Sequence, residues 1–269
     1  MTINRDRTPV GSPGTTDTIM YNSTKNNSAD AYNDWHREIH GDENLAAVTL
    51  QEWHRNALSL SRIQTTLKAL EVGCGAGDFA IHLASQGADV TAVDFSTHAI
   101  KLAQEKSKAQ NKPVNFQVAD AQSLPFEDDS FDIVFSCECL EHVPNPQLAL
   151  TEFYRVLKPS GRLVLTTENY SNAMLLGWLV CWWRKEPFNS GAGVQPIEHF
   201  FLFWRVRHMF RKAGFHVQRM IGSHHVFLML PRFDPSTFVV ERFENPVVRK
   251  LLRPFARHMA FAAIKKQVQ

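Results

Sequence analysis

Short apolar runs alternate along the middle of the chain with longer segments in which apolar residues recur every three or four positions. The apolar runs end near positions 72, 93, 119, 136 and 167, and the segments with helical periodicity are 78–86, 97–110 and 145–157. Alternation of this kind is typical of βαβ units, whose crossover connections are right-handed. The pattern therefore predicts a doubly wound, mostly parallel α/β sheet.

Carboxylates follow the first three predicted strands. Glu71, Asp94 and Asp120 come at the ends of successive apolar runs, and after Glu71 the chain turns through the sequence GCGAG at 73–77 into a helix. Glycine in such a turn lets a ligand approach the main chain, and the N–H groups of the following helix favour a polar or anionic group. Because ligands of open parallel sheets bind at the carboxyl ends of the strands, we expect the binding site at this edge.

Five motifs in a fixed order connect these features with a known family. The sequences EVGCGAG, VDFS, VADAQSLPF, FDIVFS and VLKPSGRLVL follow one another within about residues 65–170. Together they resemble the motifs of class I S-adenosylmethionine-dependent methyltransferases with a methyltransferase type 11 domain. The resemblance implies a Rossmann-like sheet of seven strands and S-adenosylmethionine as the cofactor. It implies these cofactor-binding residues: Glu71, Gly73, Cys74, Gly75, Gly77, Asp94, Phe95, Asp120, Ala121 and Cys137.

Further elements are predicted on both sides of the central motifs. The patterns favour two helices within 29–63, a helix at 201–213 and strands at 215–221 and 259–265. The resemblance implies that the last of these strands is antiparallel and lies at the edge of the sheet. The complete prediction is a seven-stranded, mostly parallel sheet with N-terminal helices and lid insertions.

The chain is predicted to form one domain over residues 29–269. Its 269 residues, of which 44% are hydrophobic, suffice for one α/β core without a second domain. Segments at about 171–198 and 224–254 interrupt the alternation, and we expect them to form lids. Residues 1–28 are rich in Thr, Ser, Asn, Gly and Pro, which predicts a disordered tail, and they lack the apolar core of a signal peptide.

The segment SCECLEHVPNP after the fourth strand carries Glu138, Glu141 and His142, the candidate catalytic residues. On one helical turn these side chains would share a face and would provide ligands for Mg²⁺, which lowers the pKa of a bound hydroxyl. The pattern resembles that of the ubiquinone-biosynthesis O-methyltransferases, which use a divalent metal. It is also similar to the small-RNA 2′-O-methyltransferases, and that similarity implies His199 as a fourth ligand. Two alternatives stay open: His142 as a metal-free general base, and a structural role for both glutamates.

Residues outside these motifs are candidates for contacts with the methyl acceptor. They are Trp35, His36, Trp53, His54, Asn169, Trp178 and His199. The alternative for the repeated Trp-His pairs is that both tryptophans pack on the sheet edge and both histidines lie on the surface. The nearly apolar run at 173–183 is shorter than the roughly twenty residues that span a bilayer. It predicts either a buried lid helix or an interfacial segment that receives a lipid-like acceptor.

Charge and cysteine usage add two expectations. The formal net charge is +2, but from residue 201 onward 13 Lys or Arg accompany only 3 Asp or Glu. A basic C-terminal third is either a solvated face or a surface for an anionic membrane, an acidic substrate or nucleic acid. The four cysteines have neither disulfide-framework nor zinc spacing, which favours a reduced, cytoplasmic setting with peripheral membrane contact as an option.

These observations predict a methyltransferase that acts on an oxygen of a small aromatic, quinol-like or lipid-like acceptor. Three alternatives stay open: an N- or C-methyltransferase of a natural product without metal, an RNA 2′-O-methyltransferase, and a non-catalytic cofactor-binding partner subunit. Nucleic acid is disfavoured because a polynucleotide groove is basic, whereas the predicted lid is apolar. The sequence does not determine the acceptor or the oligomeric state.

Overall fold

The computed structural model describes residues 29–40, 45, 47–61, 63, 65–171, 179, 182–185, 196–197, 199–223 and 253–266. Within these residues, seven strands form one sheet in the order β3-β2-β1-β4-β5-β7-β6. The strands are β1 (Lys68–Val72), β2 (Asp89–Asp94), β3 (Asn115–Val118), β4 (Phe131–Cys137), β5 (Leu157–Glu168), β6 (Phe215–Ser223) and β7 (His258–Lys265). The helices are α1 (Ala29–His40), α2 (Glu52–Ser61), α3 (Asp78–Ser85), α4 (Thr97–Ala109), α5 (Pro146–Val156) and α6 (Phe203–Lys212), with 3₁₀ turns at Leu140–His142 and Arg253–Phe255.

The predicted doubly wound sheet is confirmed, with one correction. Strands β1 to β5 pair in parallel, and β7 is antiparallel to β5 and β6. The prediction that the last strand lies at the sheet edge is wrong, because β7 runs between β5 and β6, and β6 is the edge strand. The residues of β7 from Met259 to Ala263 are all buried. A run that is apolar on both faces is stable in the interior of a sheet and costly at its edge.

Helices cover both faces of the sheet, as the alternation predicts. On one face, α2, α3 and α4 contribute Leu60, Phe79 and Ala103 to a buried cluster with β1, β2 and β4. On the other face, α5 and α6 contribute Phe153 and Phe210 to a second cluster. The two clusters fix the sheet between its helical layers. Because β1 to β5 are parallel, their carboxyl ends lie at one edge of this sheet.

Side-chain and glycine caps mark the ends of three helices. Ser96 is the N-cap of α4, where its hydroxyl accepts a hydrogen bond from the Ala99 N–H at 3.1 Å. Gly87, just after α3, has φ of +90°, the left-handed conformation that glycine adopts without strain. Asn145 caps α5 in the same way as Ser96 caps α4.

Several predictions fall outside the described residues. These are the tail at 1–28, most of the insertion at 171–198 and the insertion at 224–254 except for its last residues. Among the residues that are described, no helix combines the length and apolarity needed to cross a membrane.

Candidate active site

A cavity of about 640 Å³ opens at the carboxyl ends of the parallel strands. One part, the glycine-loop half, is formed by 73–76, Asp94, Phe95 and 119–122. The other part, the histidine half, is formed by Glu138, Glu141, His142, Glu168, Arg257 and His258. Residues of α1, α2 and the adjoining loops complete the wall: Tyr32, Trp35, His36, Ile39, Thr49, Gln51, Trp53 and His54.

The three glycines of the loop, Gly73, Gly75 and Gly77, differ in what surrounds the position of a Cβ. All have positive φ, but a Cβ added at Gly73 would lie 2.5 Å from Cys139 Sγ, and one at Gly77 would lie 2.8 Å from the Ala103 Cβ. These two glycines are therefore required by packing, and Gly77 does not line the cavity, contrary to the prediction. A Cβ at Gly75 would meet nothing nearer than His36 Cε1 at 3.8 Å. Only at Gly75 does the missing side chain keep the main chain open to a ligand.

Asp94 lies between the glycine loop and the start of α4. Its carboxylate accepts hydrogen bonds from the Gly75 N–H and the Ser96 N–H, each at 2.9 Å. The His36 Nε2 lies 3.9 Å from the same carboxylate. The buried acid is therefore held in one orientation at the cavity wall, where its remaining lone pairs can accept hydrogen bonds from ligand hydroxyls.

Asp120 and Ala121 line the cavity beside Asp94, as predicted. The Asp120 carboxylate accepts hydrogen bonds from the Gln122 main chain at 2.8 Å and from its side-chain amide at 3.1 Å. Ala121 is buried and offers an apolar surface. This corner of the glycine-loop half thus combines one carboxylate with a flat apolar wall.

Glu71 does not reach the cavity, in contrast to the prediction. Its side chain is buried behind the glycine loop and is only 1% exposed. Burial, together with the nearby Asp94 carboxylate, raises the pKa of Glu71 well above its ordinary value. Cys74 and Cys137 do line the cavity, and burial raises the pKa of both thiols well above their usual range. Burial therefore favours the protonated, uncharged form of all three groups.

Both Trp-His pairs line the cavity, so the alternative that both histidines lie on the surface is wrong, whereas Trp53 also packs against the buried cluster of the sheet. Helix α1 brings Trp35 and His36 to the wall, and α2 brings Trp53 and His54. His36 is only 6% exposed. The Tyr32 hydroxyl donates to the main-chain oxygen of His142 at 2.6 Å, so α1 is tied to the histidine half.

His54 is held as a neutral imidazole. Its Nδ1 accepts a hydrogen bond from the Gln51 N–H at 3.2 Å, and its ring stacks on Phe79 at a centroid distance of 4.9 Å. Burial lowers the pKa of His54 to about 4. With Nδ1 as an acceptor, Nε2 carries the proton, so His54 is a hydrogen-bond donor rather than a base near neutral pH.

Glu138 and Glu141 follow β4 in different conformations. Glu138 adopts φ of +47°, so it is not part of the helical turn, which covers only Leu140–His142. Glu141 is 3% exposed and accepts a hydrogen bond from the Thr167 hydroxyl at 2.9 Å. The two carboxyls line the same cavity, but the single helical face expected for 138, 141 and 142 is not formed.

The predicted metal-ligand set is not assembled. The His142 Nδ1 lies 2.7 Å from the Ile197 carbonyl oxygen, and the His199 Nε2 lies 2.9 Å from the Val143 carbonyl oxygen. Both contacts direct an imidazole N–H to the main chain, and His199 does not line the cavity. In the part of the chain that the structure describes, no group of three or more His, Cys, Asp or Glu is placed to hold a metal ion.

Two further substrate candidates lie away from the cavity or outside the description. The Asn169 side-chain amide donates to the carbonyl oxygens of Pro254 at 2.9 Å and Ala256 at 2.7 Å. It is fully buried and ties the end of β5 to the segment before β7. Trp178 lies outside the described residues.

His258 and Arg257 also line the histidine half, although neither was among the predicted site residues. His258 begins β7 and is paired in register with Glu168, the last residue of β5. The Arg257 guanidinium lies 3.5 Å from the Glu168 carboxylate. The sequence did contain a signal for these two residues, namely the predicted antiparallel last strand, which starts at the edge where the parallel strands end. Residues just before and at the start of such a strand are therefore brought to the ligand-binding edge.

Comparisons with known proteins show similarity to methyltransferases. The model of a methyltransferase domain family matches residues 70–165. A demethylmenaquinone methyltransferase from Lactiplantibacillus plantarum is 32% identical over 201 residues, which cover 65% of this chain and 82% of that enzyme. A ubiquinone biosynthesis O-methyltransferase from Coxiella burnetii is 39% identical over 109 residues, which cover 39% of this chain and 47% of that enzyme. Among the curated relatives, several matches span only 47% to 59% of the relative's length.

A solved structure shows the same architecture. The methyltransferase in complex with the Haloferax volcanii Trm112 methyltransferase activator superposes with a TM-score of 0.60 and 20% sequence identity. The superposition covers 90% of this chain and 98% of that protein. At this identity the likeness concerns the fold.

Proposed function

Because the chain belongs to the S-adenosylmethionine-dependent methyltransferases, we propose that it methylates an oxygen of a small aromatic, quinol-like or lipid-like acceptor. The observation that carries this proposal is the continuity of the cavity. Its glycine-loop half suits the cofactor, and its histidine half holds carboxyls and imidazoles beside the same opening. One bound cofactor and one bound acceptor can therefore meet inside a single cavity.

The glycine-loop half fits S-adenosylmethionine. Gly75 leaves the main chain open, Asp94 offers carboxylate oxygens for the ribose hydroxyls, and Asp120 with Ala121 offers an acid and a flat wall for the adenine. When bound, S-adenosylmethionine supplies an electrophilic methyl group, whose bonding electrons stay on the sulfur as the methyl passes to the acceptor oxygen. The protein's own contribution is to fix the geometry and to exclude water.

The histidine half suits an acceptor with a hydroxylated ring. Beside it, the wall from α1 and α2 provides the aromatic surface of Trp35 and Trp53 and the hydrogen-bond donor His54, and Glu138 of the histidine half is a hydrogen-bond acceptor. Rings that carry hydroxyls satisfy both kinds of surface, because their faces are apolar and their edges polar. The names of the relatives, which refer to demethylmenaquinone and to ubiquinone biosynthesis, support a quinol-like acceptor with a lipid-like tail.

The residues of the histidine half can also accept the proton that an acceptor hydroxyl loses. Two imidazoles of this half, those of His142 and His258, line the cavity. For His142, the carbonyl oxygen beside Nδ1 requires the proton to be on Nδ1, and Nε2 is then the basic nitrogen. General base catalysis of this kind contributes typically 10²- to 10⁴-fold.

A methyl-transfer assay with a panel of acceptors tests the function. Labelled S-adenosylmethionine is offered with catechols, other phenols, quinols, amines and short RNA, with Mg²⁺ and with a chelator. We expect transfer to a phenol or quinol oxygen, loss of that transfer in Asp94→Ala, and wild-type rates in Asp89→Ala, an exposed acid at the other end of β2. A product methylated on nitrogen, on carbon or on RNA would replace the proposal with the corresponding alternative. Activity that requires Mg²⁺ would restore the metal hypothesis.

We also propose that the basic surface of α6 contacts an anionic membrane when a lipid-like acceptor is delivered. Trp204 is 59% exposed at the start of this helix, and Arg205, Arg207, Arg211 and Lys212 are exposed along it. The helix contains no acidic residue. A tryptophan flanked by cations suits the interface of an anionic bilayer. Sedimentation with vesicles tests this, because binding to anionic but not to zwitterionic vesicles is expected, and equal binding to both would contradict it.

A further inference from the structure

His258 is a histidine of the cavity that only the tertiary structure reveals. It is the first residue of β7 and is paired in register with Glu168 of β5 and Ser223 of β6. Because β7 is antiparallel to its neighbours, its first residue lies at the edge where the parallel strands end. The ring lines the cavity and lies near Trp53, at a centroid distance of 6.3 Å.

Glu138 faces this histidine from the end of β4. The Nδ1 of His258 lies 3.7 Å from Glu138 Oε2, and the two side chains are only 14% and 15% exposed. Among the described residues, the other carboxylate oxygen, Oε1, is buried without a hydrogen-bond partner. Glu138 also has φ of +47°, a conformation that costs a residue with a Cβ about 1–2 kcal/mol and persists where the surroundings impose it, often at functional sites.

The surroundings shift the pKa values of the two adjacent carboxyls in opposite directions. Burial and the neighbouring Glu138 raise the pKa of Glu141 well above its usual range, which favours its neutral form. Burial alone would raise the pKa of Glu138, but His258, together with hydrogen bonds from Thr166 and Glu141, lowers that pKa below its ordinary value. Burial likewise opposes the charge on His258, but Glu138 raises its pKa above the ordinary value. The other charged groups that act on His258 are Glu168, at the end of β5, and Arg257, just before β7.

We propose that His258, paired with Glu138, is the residue that takes the proton from the acceptor hydroxyl, an inference that rests on the proposed function. The proton moves from the hydroxyl to Nε2 of His258, the ring nitrogen that does not face Glu138. The bonding electrons of the O–H remain on the acceptor oxygen, which becomes the nucleophile. The imidazolium that forms is stabilised by the Glu138 carboxylate and later returns the proton to water.

His142 is the less suitable base because its ring partner is neutral. Its Nδ1 faces the Ile197 carbonyl oxygen, which orients the ring but carries no charge to stabilise an imidazolium. His258 has a buried carboxylate in the corresponding place. In catalytic Ser-His-Asp arrangements, a carboxylate beside the histidine both orients the ring and stabilises its protonated form. The Glu138–His258 pair, built from the end of β4 and the start of β7, offers the charge stabilisation of that arrangement at 3.7 Å, a contact longer than a hydrogen bond.

The experiment compares His258→Asn and Glu138→Gln with the wild type and with His216→Asn, an exposed histidine of edge strand β6. Rates are measured across pH on an acceptor that the wild type methylates, and cofactor affinity is measured separately by calorimetry. The histidine ring signals are titrated by NMR in the wild type and in Glu138→Gln, in the absence of any acceptor. Unchanged cofactor affinity in the variants shows that they have folded.

We expect His258→Asn to lower kcat by about 10²-fold or more with little change in KM, and His216→Asn to leave both unchanged. In the wild type, kcat/KM should rise with pH as His258 loses its proton. In Glu138→Gln this rise should move to lower pH and reach a lower plateau, because the carboxylate no longer stabilises the imidazolium. The NMR titration should show the same downward change in the pKa of His258.

Two results would overturn the inference. One is a kcat in His258→Asn within about threefold of the wild type with the same pH profile, which would leave the proposed function intact. The other is an equal pKa of His258 in the wild type and in Glu138→Gln, which would remove the pairing whether or not any acceptor is methylated. A wild-type chain that methylates nothing in the panel would instead contradict the proposed function, while the NMR titration still decides the pairing.

Discussion

The Asn33 side chain in α1 accepts a hydrogen bond from the hydroxyl of Ser96, the N-cap of α4, at 2.8 Å. The same oxygen accepts hydrogen bonds from the Thr97 hydroxyl at 3.2 Å and the His98 N–H at 3.1 Å. Both Asn33 and Ser96 are buried. This contact holds α1 over the glycine-loop half of the cavity and thereby places His36 opposite Asp94.

The first prediction concerns this contact. Asn33→Ala removes an acceptor for three hydrogen bonds, whose net contribution is about 1–2 kcal/mol in such settings. We expect α1 to loosen and the dissociation constant for S-adenosylmethionine, measured by calorimetry, to rise about 5- to 30-fold. Asn115→Ala, at the exposed start of β3, is the matched control. Unchanged cofactor affinity in Asn33→Ala would show that α1 does not help to form the site.

A second prediction separates the two kinds of glycine in the loop. Gly77→Ala places a Cβ 2.8 Å from the Ala103 Cβ, so it should lower the melting temperature by about 5–15 °C. Gly75→Ala meets nothing nearer than 3.8 Å and adds only the strain of φ at +51°, about 1–2 kcal/mol. It should instead weaken cofactor binding by tenfold or more. Calorimetry and thermal unfolding of both variants check this, and a reversal of the two effects would contradict the assignment.

The third prediction follows from the buried carboxyl of Glu71. The native state keeps its proton at pH values where the unfolded chain has lost it, above an ordinary pKa of 4.5. Stability contributed by this group therefore falls as the pH rises. We expect Glu71→Gln, which needs no proton, to unfold at higher urea concentration than the wild type at pH 8, with a smaller difference at pH 5. Glu127→Gln, at an exposed site, should show no such trend.

The fourth prediction concerns His54, whose pKa is lowered by burial from 6.5 to about 4. At pH values between these two, His54 is protonated in the unfolded chain but not in the native state. The free energy of unfolding therefore falls as the pH decreases from 7 to 5. The loss should be about 2 kcal/mol. In urea unfolding, the change in the free energy of unfolding between pH 7 and pH 5 should be smaller by this amount in His54→Gln than in the wild type. In His216→Gln that change should equal the wild-type value. An equal pH dependence in wild type and His54→Gln would mean that His54 is protonated in the folded chain.

Local patterns were sufficient for most of the fold. The limits of α3, α4 and α5 follow within one or two residues from the apolar periodicity, which the sequence displays directly. The acids at the ends of β2 and β3 were placed at the cavity because parallel strands end at one edge. The error at Glu71 has a simple cause, since the alternation of side chains along a strand decides which face a residue takes, and β1 turns Glu71 towards the interior.

The sequence by itself determined the family, the parallel α/β core and the glycine-loop half, because each rests on residues close together along the chain. Only the tertiary structure decided the histidine half. The insertion of β7 between β5 and β6 brings His258 to Glu138, and His199 lies outside the cavity that His142 lines. Contacts between such distant segments depend on strand order and packing, for which neighbouring residues carry no local signal.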